Sequence, residues 1–262
     1  MSLRVPRIPT TVLVLALAVV VACTTVPGTG RHQMMLVPES YEQELGINSY
    51  REVLSKSKVS ADPVLNDQLT RVGRRIATAT ERTDYKWEFK VVDDKQVNAF
   101  CLPGGKIVVY TGILPVTRDD AGLAAVVGHE VAHAIARHGG ERMSQQIAVQ
   151  GGLTAFQVGY AQRHPETVQL ATALLGAGAA VGILLPYSRL QESEADHLGL
   201  IYMAKAGYHP SAARDLWVRM AELSKAQQKP PEFLATHPAD ATRIRQIEAW
   251  LPEAVKYYQP GS

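Results

Sequence analysis

Apolar and polar positions divide the chain into zones of different period. Residues 8–22 form one uncharged, largely apolar run, and a polar stretch carrying Pro27, Gly28 and Gly30 follows it as far as Pro38. Helical spacing then begins, with Tyr41, Leu45, Tyr50 and Leu54 in 39–58, and Val64, Leu65, Leu69, Val72 and Ile76 behind the helix-starting pair Asp62 and Pro63, to about Thr80. At Tyr85 the period drops to two. Residues 85–91 alternate as a half-buried strand does, and 106–110 are β-branched and aromatic. Between them, Pro103, Gly104 and Gly105 mark a turn joining neighbouring strands. The run 121–136 is apolar almost throughout, with an N-cap and first-turn acids in 117–120 and a stop at Gly139 and Gly140. A helical hairpin over 142–185 is expected next, then a helix over 188–206 stopped by Gly207, and closing helices over 210–225 and 238–251. The sum is an α+β chain, mainly helical, with a small β-sheet packed beside the 121–136 helix.

The first zone changes the picture of the mature protein. Arg4 and Arg7 before an apolar run of secretory length, with a small residue at its end, predict a signal peptide over 1–22. Val20, Val21, Ala22 and Cys23 resemble a bacterial lipobox, so Cys23 is the expected lipidation site and 23–38 a lipid-attached tether that need not be ordered. Thr24 in place of Asp resembles an outer-membrane address. The leader takes two of the 27 basic residues and none of the 25 acidic ones, leaving the mature chain balanced. No long run of one sign is present, which argues against a nucleic-acid partner. With Cys23 acylated, Cys101 has no partner within the chain and reads as a small buried hydrophobe. Residues 39–262 are long enough to bury one core without a disulfide, as a single domain. The uncharged segment 167–187 raises the question of a membrane span. A single crossing there would separate the candidate site residues on its two sides, so a helical hairpin, with a membrane-touching segment as the lesser alternative, is the expectation.

The chemistry is concentrated in His129, Glu130 and His133. Two histidines four apart on a helix share one face, so both imidazoles reach one metal ion. Glu130 lies beside that ion without binding it, where it can take a proton from an attacking water. A catalytic zinc site usually has three protein ligands, and the best source of the third is 189–197, where Glu192 and Asp196 are four apart on one helix face. A carboxylate ligand with Asp196 one turn on, accepting a hydrogen bond from a ligand histidine, gives the ion a second layer of support. Glu194 and His197 point off that face.

Together with Asn98, Ala99 and Phe100, with Pro103, Gly104 and Gly105, with Tyr110, Thr111 and Gly112, and with His237, Pro238 and Arg243, these motifs resemble the metallopeptidase family that includes the CAAX prenyl proteases, the heat-shock protease HtpX and the mitochondrial protease Oma. The resemblance covers most of the mature chain in the family's order, and is greatest to short periplasmic lipoprotein members such as LoiP. It implies a zincin-like fold, one Zn2+ per chain bound by His129, His133 and Glu192, Glu130 as general base, Asp196 behind the ligands, and His237 and Arg243 near the open metal position. His237 then either stabilises the oxyanion or blocks the site as a reversible fourth ligand; from the residues alone it could simply be a helix-entry residue before Pro238. A sheet edge before the metal helix, with Asn98, Ala99, Phe100, Gly104 and Gly105, suggests substrate bound as an added strand, read through its backbone; a plain hairpin is the alternative.

The expectation is therefore a zinc endopeptidase of a bacterial envelope, lipid-anchored to the outer membrane facing the periplasm. It would act on unfolded or extended proteins in quality control, with outer-membrane assembly proteins as possible partners. A chaperone-like scaffold with a structural zinc is the alternative from another class, and a metal-dependent hydrolase of a non-peptide bond is a third.

Overall fold

Helix α4, Asp120–Ile135, is the axis of the molecule, because every residue from Gly122 to Ile135 is buried. A helix apolar on all sides has no solvent face and must be enclosed. In the computed structural model, which describes residues 23–180, 185–226, 230–238 and 241–260, it is enclosed by a sheet on one side and helices on the others. The expected signal peptide over 1–22 lies outside the described residues.

In chain order the elements are β1 (Cys23–Thr25), β2 (His32–Met34), α1 (Glu39–Lys56), α2 (Pro63–Ala79), β3 (Glu88–Val92), β4 (Ala99–Leu102), β5 (Lys106–Tyr110), α3 (Leu114–Thr117), α4, α5 (His138–Ala161), α6 (Val168–Ala179), α7 (Leu185–Lys205), α8 (Ser211–Ala226), α9 (Glu232–Thr236) and α10 (Ala241–Ala254). The architecture is α+β, as the residue pattern predicts. Asp62 caps α2 by accepting from Val64 N at 2.8 Å, and Gly207, at φ +77°, follows the end of α7.

The sheet differs from the expected pairing of two strands around one turn. Its order is β3-β5-β4, with β3 and β5 parallel and β4 and β5 antiparallel. The turn at Gly104 and Gly105, φ +82° and +83°, joins β4 to β5, and β4 comes from the segment whose residues gave no strand signal. The reason is that β4 is apolar on both faces. Ala99 and Cys101 pack towards the main core, while Phe100 and Leu102 pack with Tyr50, Val92 and Val108 in a second cluster. β4 is the edge strand beside α4, and among the described residues no strand pairs with its outer edge.

A second correction concerns the end of α4. The helix stops before Gly139 and Gly140, both of which lie inside α5. The break is at Arg137, a non-glycine residue at φ +58°, a left-handed conformation that costs free energy unless its surroundings hold it. Its guanidinium is held by Glu42 of α1 and by the Val37 carbonyl at 3.1 Å.

Residues 23–38, read as a tether, lie along the body as a strap. Val26 is 1% exposed, Met35 and Val37 are buried, and Leu36 N donates to Ser144 Oγ of α5 at 2.8 Å. α5 and α6 form the expected hairpin, whose outer surface exposes Ile147, Val158, Leu170, Leu174 and Leu175. Among the described residues no helix is long and apolar enough to cross a membrane.

α4 and α7 cross at two glycines. A Cβ on Gly128 would stand 3.0 Å from the Gly199 carbonyl oxygen, and one on Gly199 would stand 3.0 Å from His129 N. The missing methyls let the backbones touch, and this sets Glu192 and Asp196 of α7 against the histidines of α4.

Candidate metal centre

Four donor side chains, His129, His133, Glu192 and His237, bring one ligand atom each to within 4.8 Å of one another. His129 and His133 come from successive turns of α4, Glu192 from α7, and His237 from the residue after α9. The His129 and His133 Nε2 atoms are 3.1 Å apart, and Glu192 lies 3.4 Å from the first through Oε2 and 3.3 Å from the second through Oε1. Ligands at roughly 2.0–2.1 Å around a tetrahedral zinc are separated by about 3.3–3.4 Å along each edge. The separations among the three side chains are of that size, and the donor set, two imidazoles and a carboxylate, fits zinc. His237 Nδ1 joins them at 3.2 Å from His129 Nε2 and 2.8 Å from Glu192 Oε2.

Each neighbour orients a donor. Asp196 Oδ1 accepts from His129 Nδ1 at 3.0 Å, which leaves the Nε2 lone pair for an ion. Arg243 clamps Asp196 with two bonds of 2.7 Å, reaches Glu192 Oε2 at 3.3 Å, and lies 3.4 Å over the ring of Trp217. Trp217 and Phe233 stack on each other beside the His129 ring.

The electrostatics follow from burial and these contacts. Burial works against the charge on Glu192, yet the hydrogen bonds from His129, His133 and His237 outweigh it and hold the carboxylate far below its usual range. Burial also lowers His129, but Asp196 and Glu192 outweigh that and raise it to about 9. A proton there must leave when an ion binds. Burial pushes His133 well below the ordinary imidazole value, so it is neutral and ready to donate a lone pair. Burial raises Glu130, only partly offset by His237 and His129. Glu130 Oε1 is buried with no hydrogen-bond partner, its contact with His237 Nε2 being 3.4 Å. That oxygen is available to accept a hydrogen bond from a group bound beside the donors.

The sequence-derived residues separate here into two groups. His129, Glu130, His133, Glu192, Asp196, His237 and Arg243 converge. Of the proposed substrate residues, Asn98 precedes and Ala99 and Phe100 lie in β4, Phe100 against Tyr110, whereas Gly104 and Gly105 form the turn against Gln43 and Trp87. His197 turns away to Glu253, as its helix position requires. Cys101 is partly exposed, its side chain packs against the main core, and burial raises its thiol well above the usual value.

Sequence reasoning missed His138, which is fully buried. Its Nδ1 lies 2.8 Å from His133 Nδ1 and its Nε2 lies 3.0 Å from Glu194 Oε2. The available signal was its spacing five residues after His133, which a helix continued to Gly139 would point elsewhere.

Comparison with known proteins places these geometries in a family. The model for peptidase family M48 matches residues 63–251, a span holding all four donors and both Glu130 and Arg243. The mitochondrial metalloendopeptidase OMA1 of Schizosaccharomyces pombe is 38% identical over 232 residues, covering 87% of this chain and 66% of that protein. OMA1 of Saccharomyces cerevisiae is 38% identical over 187 residues, 66% of this chain and 50% of its own length. The beta-barrel assembly-enhancing protease of Escherichia coli K12 is 23% identical over 225 residues, 84% of this chain and 46% of its own length. The chain thus spans between about half and two thirds of these relatives. With the family model covering the sheet, the histidine helix and the helices that bring Glu192 and Arg243 to it, the chain belongs to peptidase family M48.

Proposed function

We propose that the protein is a zinc-dependent endopeptidase of a bacterial cell envelope that cleaves unfolded or extended protein segments. The observation that carries this is the pairing of a three-donor face, His129, His133 and Glu192, with the buried, open carboxylate oxygen of Glu130. Zinc, when bound, supplies Lewis acidity towards a scissile carbonyl and lowers the pKa of a water. Glu130, raised by burial, takes a proton from the attacking water and returns it to the leaving amine. Arg243 and Asp196 hold His129 in the tautomer that faces the donors. His237, as close to Glu192 and His129 as they are to each other, would serve as a reversible fourth donor to the ion.

The open edge of β4, from Asn98 to Phe100, takes substrate as an added strand through its backbone. Phe233 N, in the short helix before His237, bonds Val97 O at 3.1 Å, which ties the segment leading into β4 to the element that carries His237. The envelope address rests on the apolar leader and on Cys23 as an acylated residue facing the periplasmic side of the outer membrane. Similarity to the beta-barrel assembly-enhancing protease of Escherichia coli supports quality control of envelope proteins as the setting.

The test compares the wild type with Glu130→Gln for bound zinc and for cleavage of an unfolded protein. Both should hold one zinc per chain, and the variant should lose about 10²–10⁴-fold in rate. Equal cleavage by the variant overturns the proposal, and zinc retention without cleavage by either protein favours the scaffold alternative.

A further inference from the structure

Each ligand histidine of α4 is backed by a carboxylate that an arginine holds. For His129 the chain is direct, through Asp196 to Arg243. For His133 it is one residue longer and leaves the helical core. His138 Nε2 donates to Glu194 Oε2 at 3.0 Å. A neutral imidazole protonated there has its lone pair on Nδ1, which lies 2.8 Å from His133 Nδ1 and accepts a proton from it. The remaining lone pair of His133 is then on Nε2, facing Glu192 and His129. The orientation of this ligand therefore depends on Glu194.

Glu194 in turn is fixed from the strap. Arg31 Nε bonds its Oε2 at 2.8 Å, and Thr29 Oγ1 donates to Oε1. The other edge of the Arg31 guanidinium grips Glu141 of α5 with bonds of 2.7 and 2.8 Å, and Glu141 also accepts from Gln191 Nε2 at 2.7 Å. Glu141, His138 and Gln191 are essentially inaccessible, and Glu194 is 7% exposed. A planar fork that meets two carboxylates on two edges fixes the separation of α5 and α7, which a lysine ammonium does not do.

We propose that Arg31 is a positioning residue for the metal centre, acting through Glu194 and His138 on His133, so that seating of the 23–38 strap sets how tightly zinc is held. The proposal rests on the zinc site described above. It gives the strap a task that a passive tether does not have: Arg31 touches neither substrate nor ion, yet its loss is felt at the ion.

The experiment measures zinc dissociation constants by chelator competition on the full chain, for wild type, Arg31→Ala, Arg31→Lys, Glu194→Gln, His138→Ala and the double variant Arg31→Ala/His138→Ala. Thermal melts of the zinc-free proteins accompany them. His138→Ala should weaken zinc by about 10–100-fold, and Arg31→Ala and Glu194→Gln by about 10-fold. Arg31→Lys should not restore binding. The double variant should bind no more weakly than His138→Ala alone, because the two residues act in series. Glu194→Gln, nearly isosteric, gives the answer if Arg31→Ala folds poorly. Wild-type affinity in Arg31→Ala or Glu194→Gln, or effects of Arg31 and His138 that multiply in full, overturns the proposal while leaving the peptidase reading intact. A folded wild type that takes up no zinc overturns the metal reading itself.

Discussion

Replacing Gly199 by alanine tests whether the helix crossing sets the size of the metal site. The added Cβ would stand 3.0 Å from His129 N and 3.1 Å from Gly128 C and His129 Cα. Carbon contacts are comfortable at about 3.5–4.0 Å, so α4 and α7 must part by about 0.5–1 Å. All the near atoms are backbone, so no side chain can swing aside. Glu192 rides on α7 two turns before Gly199 and moves with it, and a metal polyhedron tolerates only about 0.2 Å in its bond lengths. Overpacking costs about 1–3 kcal/mol, and alanine recovers about 1 kcal/mol of helix propensity. The net is about 0–2 kcal/mol, and at about 2–4 °C per kcal/mol the melting temperature falls by no more than about 8 °C. The expected result is a folded protein that binds zinc far more weakly, read by chelator competition beside thermal melts. Gly151→Ala is the control, since nothing lies within 4 Å of a Cβ there, and it should hold or raise stability. If Gly199→Ala keeps wild-type zinc affinity and behaves like the control, the reasoning is refuted.

Further outcomes concern the groups around the ion. Asp196→Ala takes from Arg243 its two-bond partner and leaves the 3.3 Å contact with Glu192, so it should destabilise the fold by about 1–3 kcal/mol, whereas Asp196→Asn should fold better yet bind zinc more weakly; melts and zinc titration separate the two. Glu194 is depressed from 4.5 to about 2, burial being outweighed by bonds from His138, Thr29 and Arg31. A depressed carboxyl stabilises the folded state above its unfolded pKa and loses that contribution as pH falls through the folded one. The zinc-free wild type should thus lose stability between pH 4.5 and 2, and Glu194→Gln should flatten that limb in acid titration followed by circular dichroism. Burial raises the Cys101 thiol, so in a Cys23→Ser chain its alkylation should stay slow at neutral pH and quicken only above pH 9; fast labelling at pH 7 contradicts this burial.

The parts of the molecule legible in the sequence are those whose determinants are local. His129, Glu130 and His133 lie on one buried helix, and Glu192 and Asp196 share a helix face, so periodicity alone brings each set together. The Arg31 pairs are of another kind. Their partners Glu141 and Glu194 lie 110 and 163 residues away, and no local pattern distinguishes a polar tether from a polar strap that meets buried carboxylates. β4 escaped for the opposite reason, being apolar on both faces and without alternation. His138 was hidden by the left-handed Arg137, which tertiary contacts to Glu42 and Val37 impose on a residue with no intrinsic preference for it.

The distance along the chain between His129 and Arg243 has a consequence for the timing of activity. The two are 114 residues apart. At a synthesis rate of about 5–20 residues per second, His129 is made roughly 6–23 s before the arginine that aligns it. For the first half of that interval Glu192 and Asp196 are themselves not yet made, and for the rest Asp196 lacks its clamp and His129 its fixed tautomer. A growing chain therefore carries the zinc-binding motif before the helices that complete the centre have been made.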